Sequence, residues 1–358
     1  MLDIELTRPE RLTDNEWQTW TEVQQQAPGL ESPYFRPEFT QAVAAVRDDV
    51  EVALLRERGH TVGFFPFQRG ALNLGKPVGG KLSDYQGMVV RPETAWNAEK
   101  LIRACGLAGW DFDHLVAVQT PFAPYVKRQG ESPCMDVGDG FEAYASGRRA
   151  AGSDSLNRIA CKIRKMEREQ GELTFSWHDP SEDVFHALLD WKSAQYRASG
   201  LADLFLFPWT VALLKELSKN SGPDFGAVTS VLRLGDRPVA ICYSLRSRNV
   251  LHSWFNAYDH EFSAYSPGLA LFERMARGAA ENGVAKIDLG KGDELYKQSL
   301  ASSAAPLVEG SVELQSLSVW LRSGWRRTRD WVNTSPLAGA AKVPGQLARP
   351  LRQWLAFH

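Results

Sequence analysis

The sequence contains the same hairpin pattern twice. Residues 50–70 read VEVALLRERGHTVGFFPFQRG, and residues 228–248 read VTSVLRLGDRPVAICYSLRSR. In each stretch, two runs of alternating apolar residues flank a glycine-containing turn, which is typical of two antiparallel strands joined as a hairpin. Because single hairpins are common, the flanking sequence decides whether the similarity reflects a larger repeated unit.

The elements around the two hairpins also follow one order. A helix that begins with an aromatic residue and a proline precedes each hairpin, at residues 34–46 and 206–217. After each hairpin the pattern predicts a strand, a helix and a further strand. Agreement across these elements indicates tandem duplication of one α/β unit. We therefore predict the fold class α/β (α+β), with two similar domains that each contain a mixed, mostly antiparallel sheet flanked by helices.

The domain boundaries follow from this repeat. We predict a first domain at residues 1–150, a second at residues 151–310 and a helical C-terminal tail at residues 311–358. The tail interleaves arginine with tryptophan. This pattern is typical either of a helix packed on the second domain or of a peripheral contact with anionic lipid.

A basic helix is predicted to follow the first boundary. Ile159, Ile163 and Met166 recur on one face of this helix, which gives it a single apolar stripe. The other faces are basic, and they form either a solvated surface or a wall that binds a phosphorylated or acidic ligand. Their cationic residues are Arg158, Lys162, Arg164, Lys165 and Arg168.

The composition argues against several classes of protein. The 358-residue chain has a net charge of −2, so a nucleic-acid partner is not expected. No apolar run reaches the roughly 20 residues of a membrane-spanning helix, and the first residues do not resemble a secretory signal. The four cysteines are scattered, so we predict no metal site. We expect a cytoplasmic protein, with the tail as a candidate contact to the inner face of the membrane.

The stretch AYSPGLALFERM at residues 264–275 predicts a helix start that can hold a phosphate. Pro267 suits the first helical position, and we expect the Ser266 side chain to cap the helix. The next three N–H groups are expected to point outward from the positive end of the helix dipole, where a diphosphate can bind. These donors belong to Gly268, Leu269 and Ala270. Taken alone, the same stretch is only a well-formed helix cap.

The order of hairpin, third strand, glycine-led helix and a strand ending in DLG resembles the core of the GNAT acyltransferases. In that family, the amides of an Arg/Gln-x-x-Gly-x-Gly/Ala turn hold the pyrophosphate of acyl-CoA. The resemblance therefore implies that Gly268, Leu269 and Ala270 bind acetyl-CoA. Tyr265 occupies the position of the family's Arg or Gln.

A narrower resemblance covers most of residues 30–300. The stretch SPGLALFERMARGAAENGVAKIDLGKGDELYK is similar to the acetyltransferase-like domain of CelD-type proteins, which are linked by name to bacterial cellulose and exopolysaccharide biosynthesis. SPYFRPEF at residues 32–39 and GGKLSDYQG at residues 79–87 resemble the first half of that family. The duplicated architecture also resembles the Fem-type peptidyltransferases, which use aminoacyl-tRNA.

The resemblance implies a set of catalytic candidates. Acyl transfer from a thioester needs a base, donors for the oxyanion and a proton source for the departing thiolate. Asp288, at the end of a strand, either acts as the base or only caps loop amides. Tyr296 is a candidate proton donor to the thiolate and Lys297 a candidate partner for substrate charge, although the two could form a structural pair.

The acceptor site is predicted from polar and aromatic residues in both halves. Asn256 and Tyr258 share one face of a strand and are expected to contact the acceptor if that face lines the cleft. Asp84, Tyr85 and Gln86 carry the hydrogen-bonding and stacking groups that a sugar site uses, or else they form a turn network.

These features together predict a GNAT-type acyltransferase. We expect it to transfer an acetyl group from acetyl-CoA to a hydroxyl or amine of a sugar or of an exopolysaccharide or cell-envelope precursor. One alternative is a Fem-like transferase that depends on aminoacyl-tRNA. Another, favoured by Tyr265, is a non-catalytic partner with a GNAT fold in a polysaccharide biosynthesis complex.

Overall fold

Both duplicated hairpins form as predicted. Val50–Glu57 pairs antiparallel with His60–Arg69, and Phe225–Leu234 pairs antiparallel with Arg237–Ser247. The structure is a computed structural model that describes residues 2–314. No helix in this range is long and apolar enough to cross a membrane.

The described chain alternates short helices with strands. In chain order, the strands are β1 (Leu2–Thr7), β2 (Val50–Glu57), β3 (His60–Arg69), β4 (Leu74–Pro77), β5 (Val89–Val90), β6 (Gly109–Val116), β7 (Val126–Asp136), β8 (Leu173–Ser176), β9 (Phe225–Leu234), β10 (Arg237–Ser247), β11 (Val250–Tyr258), β12 (Lys286–Asp288) and β13 (Ser303–Glu313). The helices are α1 (Asp14–Gln26), α2 (Pro37–Ala44), α3 (Ala98–Ala104), α4 (Phe141–Ala150), α5 (Ser155–Gln170), α6 (Glu182–Ala198), α7 (Pro208–Leu217), α8 (Pro267–Gly278) and α9 (Leu295–Leu300).

The chain divides into two units that are each assembled from separate segments. Unit 1 comprises residues 2–30, 43–129 and 308–314 of the described chain, and unit 2 comprises residues 31–42 and 130–307. Each unit has its own apolar core.

Unit 1 is built on a mixed sheet in the order β1-β2-β3-β4-β6, with β5 paired to β3. The β4–β6 pair is parallel, whereas β1, β2, β3 and β4 pair antiparallel in sequence. Its core contains a cluster of aromatic side chains: Trp110 packs against Phe65 and Phe122, with ring centroids 5.1 and 5.2 Å apart. Such ring pairs bury large apolar surfaces and stabilise the unit.

Unit 2 is built on a second mixed sheet in the order β7-β12-β11-β10-β9-β8. The β11–β12 pair is parallel and is connected by α8, while the other pairs are antiparallel. Helices α5 and α8 pack together, and α5 buries the predicted stripe of Ile159, Ile163 and Met166. The predicted fold class, with mixed and mostly antiparallel sheets flanked by helices, is confirmed.

The two units divide the chain differently from the predicted domains, in two segments and at one boundary. Residues 31–42 and 130–150 belong to unit 2, although the boundary at residue 150 groups them with the first half. The boundary at residue 310 falls inside β13. The order of elements along the chain cannot show these exchanges because they depend on which distant surface a segment packs against. The predicted tail beyond residue 314 lies outside the described residues.

Candidate active site

Strands β11 and β12 separate soon after they meet. They pair only over Val250–His252 and Lys286–Asp288, whereas β11 remains paired with β10 as far as Tyr258. Within the described residues, β11 therefore has no strand neighbour on its β12 side beyond His252. Residues 253–258 form the open edge of β11, the kind of edge along which an extended ligand can pair.

Helix α8 starts differently from the expectation. Ser266 adopts left-handed backbone angles, and its side chain makes no capping hydrogen bond. The N–H groups of Leu269 and Ala270 donate to the Ser266 carbonyl at 3.0 and 3.2 Å, so they are used within the helix start. The expectation of three outward N–H groups is therefore wrong for these two residues. Gly268 precedes them, in the part of a helix where N–H groups lack intrahelical acceptors.

A cation from α5 lies beside this helix start. Lys162 Nζ donates to the hydroxyl of Ser266 at 2.6 Å, so the Ser266 side chain that was expected to cap the helix instead binds an ammonium group. Tyr265 faces the same helix, where its hydroxyl donates to Glu169 and accepts a bond from Gln170. The positive charge of Lys162 adds to the positive end of the α8 dipole.

Asp288 lies in the interior rather than on the surface of the site. It is only 3% exposed. Its Oδ1 accepts hydrogen bonds from Ser132 Oγ at 2.6 Å and from the Gly290 N–H at 2.8 Å. His252 Nδ1 lies 3.3 Å from the same oxygen. This arrangement matches the alternative in which Asp288 caps loop amides, and it gives the carboxylate no exposed face for a substrate.

Cys134 also belongs to this buried cluster, and its thiol is not in the nucleophilic form. It is the register partner of Asp288 on β7, and its Sγ lies 3.6 Å from Asp288 Oδ2. Burial, together with the negative charge of Asp288, raises the pKa of the Cys134 thiol. The thiol therefore stays protonated at neutral pH, and thiolates are the reactive form.

Tyr34 covers the cluster from an unexpected part of the sequence. Its ring packs edge-on against His252 and Trp254, with centroid distances of 5.1 and 5.7 Å. The short helical turn Pro33–Phe35 thus packs on β10 and β11. The motif SPYFRPEF carries both a helix start of the repeat and the family resemblance, but nothing in its spacing indicates this partner.

Tyr296 and Lys297 are neighbours with different polar partners, and Lys297 Nζ lies 5.9 Å from the centre of the Tyr296 ring. The Tyr296 ring stacks on Phe272 of α8, and its hydroxyl lies 3.5 Å from Asn256 Nδ2. Lys297 is 6% exposed, and its Nζ donates to the Lys291 carbonyl while forming an ion pair with Glu294. Lys297 therefore fixes the loop after β12, which is the structural role left open by the sequence.

Asn256 and Tyr258 lie on the open edge of β11, as a site role requires. Both are partly exposed. A Cβ built on Gly268 would lie 3.6 Å from Tyr258 Cδ1, so Tyr258 borders the start of α8. The structure thus brings together Gly268, Tyr258, Asn256 and Tyr296, all in unit 2.

The candidates from the first half belong to unit 1. The Gln86 amide is 2% exposed and bonds to the Ser83 carbonyl and to Asp113 Oδ1, while its oxygen accepts from the N–H groups of Asp113 and His114. Tyr85 is buried as well, and Asp84 Oδ1 lies 3.9 Å from His114 Nε2. Gln86 therefore has the turn-network role, because its donors and acceptors are used within the unit.

The sequence does not indicate several residues of the candidate site in unit 2. Ser132 and Lys192 of α6 reach the site from segments that carry no motif, and the motif that contains Tyr34 does not indicate its contact with β11. The one signal for Lys192 in the sequence is its position on an amphipathic helix, where a lysine can be partly buried. Among residues 2–314, no group of three His, Cys, Asp or Glu residues could hold a metal ion.

The sequence of unit 2 matches a known family. Residues 153–298 match the model described as an acetyltransferase (GNAT) domain. These residues are therefore similar in sequence to GNAT acetyltransferase domains. The predicted enzyme class, an acyltransferase, is confirmed by this match. The GNAT domain contains the open edge of β11, α8 and the loop with Lys297. No curated protein matches the chain in sequence.

Solved structures support the same fold at low sequence identity. FemX is 10% identical with a TM-score of 0.58, over 88% of this chain and 99% of FemX. L-PGS from Bacillus licheniformis is 12% identical with a TM-score of 0.52, over 86% and 95%. A tandem GNAT protein from the clavulanic acid biosynthesis pathway is 8% identical with a TM-score of 0.50, over 87% and 98%. These similarities support the fold and leave the substrate open.

Proposed function

We propose that the GNAT domain transfers an acetyl group from acetyl-CoA to a hydroxyl or amine of a saccharide, such as an exopolysaccharide or cell-envelope precursor. One observation carries the proposal: the open edge of β11 lies beside a glycine-led helix start that is supplemented by the cation of Lys162. A diphosphate needs such donors and positive charge. An extended thioester arm needs an unpaired strand edge.

The donor half of the site follows from α8. The Gly268 N–H would bind the diphosphate directly, and Leu269 and Ala270 would shape the same turn with their N–H groups used internally. Lys162 would supply a cation beside this turn, whereas Tyr265 occupies the position at which the GNAT family has Arg or Gln. The pantetheine arm would then run along residues 253–258.

The proton donor of the proposed reaction is Tyr296. Burial raises the pKa of its hydroxyl, with Glu294 adding to the effect, so the group keeps its proton at neutral pH. A protonated phenol near the thioester can donate to the departing thiolate. Asp288 supports the site through its buried hydrogen bonds, and Lys297 does so through the loop that it fixes.

The acceptor is expected at Asn256 and Tyr258, which remain partly exposed on the strand edge. Its saccharide nature rests on the resemblance to CelD-type proteins. Asp84 and Tyr85 stay candidates for acceptor binding, with Gln86 as the residue that holds their loop. Contact of the tail with the inner face of the membrane is part of the same proposal, and co-sedimentation with anionic liposomes, with and without residues 315–358, tests it.

A second function is favoured by the basic faces of α5. Arg158, Lys162 and Arg168 lie on the helix that packs against α8, and FemX shares the fold. A Fem-like enzyme would use such a surface for aminoacyl-tRNA. This alternative predicts tRNA binding that weakens steeply with salt, because phosphate contacts release counterions.

Calorimetric titration with acetyl-CoA tests the main proposal. We expect micromolar binding, or about −8 kcal/mol, by the full chain. Gly268→Glu should abolish it, because a carboxylate would occupy the diphosphate position. A Cβ at residue 268 meets nothing closer than 3.6 Å, so the first atom of the new side chain has room. Gly147→Glu on α4, where a Cβ has nothing within 4 Å, is the matched control. A folded wild-type protein that does not bind acetyl-CoA would refute the proposal.

A further inference from the structure

Lys192 reaches the open edge of β11 from α6. Its Nζ donates to the backbone carbonyl of Asn256 at 3.2 Å and to Gln195 Oε1 at 2.9 Å. Lys192 is only partly exposed, and its Nζ also lies 5.4 Å from the centre of the Tyr196 ring. An amine is therefore held at the strand edge by neutral partners.

Tyr296 meets β11 at the same residue. The Asn256 side chain lies 3.5 Å from the Tyr296 hydroxyl, while the Asn256 carbonyl accepts from Lys192. One residue of the open edge thus contacts an amine through its backbone and a phenol through its side chain. Both Lys192 and Tyr296 are partly exposed. Asp288, the candidate base from the sequence, is buried, as is its neighbour His252.

The surroundings shift these two groups toward the protonation states that acid–base catalysis needs. Burial, with a smaller contribution from the charge of Lys297, lowers the pKa of Lys192 to about 8, whereas Cys242 and Glu294 oppose the change. Burial raises the pKa of Tyr296. A neutral amine beside a protonated phenol is therefore accessible near pH 8, and such divergent pKa values are typical of acid–base pairs.

We propose that Lys192 is the general base of the acyl transfer, paired across Asn256 with Tyr296 as the acid. The inference rests on the proposed function. The acceptor oxygen or nitrogen forms a bond to the thioester carbonyl carbon, and its proton moves to the neutral Lys192 Nζ. The C–S bond then breaks, and the thiolate takes the proton of the Tyr296 hydroxyl. Lys192 then releases its proton to solvent. The Tyr296 phenolate takes a proton from solvent and becomes a phenol again.

Competitive amine labelling of the full chain tests the placement and the titration of Lys192 without any acceptor. Trace reductive methylation across pH 6–11, read by peptide mass spectrometry, should give a midpoint near pH 8 for Lys192. Lys219, an exposed lysine of the same unit, serves as the internal reference for the labelling. Saturating acetyl-CoA should slow labelling of Lys192 at least fivefold and leave Lys219 unchanged.

Kinetics of variants test the base role itself. With glucosamine as the probe acceptor, since it offers both an amine and hydroxyls, thiol release from acetyl-CoA should fall about 10²-fold in Lys192→Met. Lys192→Arg should fall similarly, because arginine keeps the charge but cannot lose its proton at these pH values. Both variants should bind acetyl-CoA within about threefold of wild type, and the rise in kcat/KM through about pH 8 should disappear. Lys219→Met is the matched control.

The outcomes separate the two proposals. If acetyl-CoA does not bind the wild-type protein, the proposed function fails and the base role fails with it. If acetyl-CoA binds but Lys192 titrates together with Lys219 and is not protected, the base role alone is overturned. Full activity of Lys192→Arg would also overturn it, since positive charge rather than proton transfer would then suffice. The labelling experiment tests the base role of Lys192 even if the protein does not accept glucosamine as an acceptor.

Discussion

His252 and Asp288 are register partners on β11 and β12, and His252 Nδ1 lies 3.3 Å from Asp288 Oδ1. They are the last pair before the two strands separate. The same carboxylate oxygen accepts bonds from Ser132 Oγ of β7 and from the Gly290 N–H. One buried side chain therefore joins three strands and the following loop at the point where the open edge begins.

Removal of this carboxylate should destabilise unit 2. We expect Asp288→Ala to cost about 2–4 kcal/mol in the free energy of unfolding, because buried donors lose their acceptor. Asp288→Asn keeps an oxygen for Ser132 and Gly290 and should cost less, about 1–2 kcal/mol. Urea unfolding measures both. Asp293→Ala removes an exposed carboxylate from the same loop and is the control. Equal stability of Asp288→Ala and Asp293→Ala would contradict the role of Asp288.

Lys192→Met should stabilise the protein in a pH-dependent way. The pKa of Lys192 is lowered to about 8, so folding disfavours the charged amine below that pH. At pH 7 we expect Lys192→Met to gain about 1–2 kcal/mol over wild type, after loss of the lysine hydrogen bonds is included. The gain should shrink as the pH rises from about 8 toward the ordinary lysine value. Urea unfolding between pH 6 and 10 gives this curve, and a gain that does not change with pH would show that desolvated charge is not its cause.

Lys162→Glu should weaken acetyl-CoA binding without affecting the fold. The substitution reverses the charge beside the α8 start, so we expect at least a tenfold loss of affinity, or about 1.4 kcal/mol. The loss should diminish at high salt, since the charge is exposed. Arg164→Glu makes the same kind of charge change two residues along α5, where side chains do not share a face. Calorimetry should find Arg164→Glu close to wild type, and equal losses in both variants would indicate only a general charge effect.

Tyr34→Ala should destabilise unit 2, although residue 34 lies far in sequence from the rest of that unit. Loss of a buried ring that packs on His252 and Trp254 should cost about 3–5 kcal/mol. Hydrogen exchange of the β11 amides should accelerate accordingly. Gln41→Ala, an exposed change in the same segment, is the control. Unchanged exchange in β11 would mean that the segment does not support this strand.

Local patterns predicted the elements and missed their partners. The two hairpins and the stripe of Ile159, Ile163 and Met166 were identified because alternation and helical spacing are local properties. The residue type of Ser266 predicts a capping role, yet its backbone is left-handed and its hydroxyl binds Lys162. That outcome depends on a helix a hundred residues earlier in the chain, which no local pattern records.

The catalytic candidates illustrate the same limit. Asp288 was correctly placed at a strand end, but its burial depends on Ser132 and His252, which neighbouring strands deliver. Lys192 carries no motif, and its environment arises from residues of β10, β11 and the loop before α9. Residue types therefore indicate which chemical groups the chain contains. Which of these groups a substrate can reach depends on the tertiary structure.

The membership of residues 31–42 in unit 2 has a consequence for biosynthesis. Tyr34 leaves the ribosome more than two hundred residues before His252 and Trp254, so the segment must wait for its docking surface while unit 1 sequence is being made. Contacts of such long separation form late and slowly. During translation its apolar side chains are exposed to chaperones and to other nascent chains, which makes this stretch a point where synthesis rate and folding yield are linked.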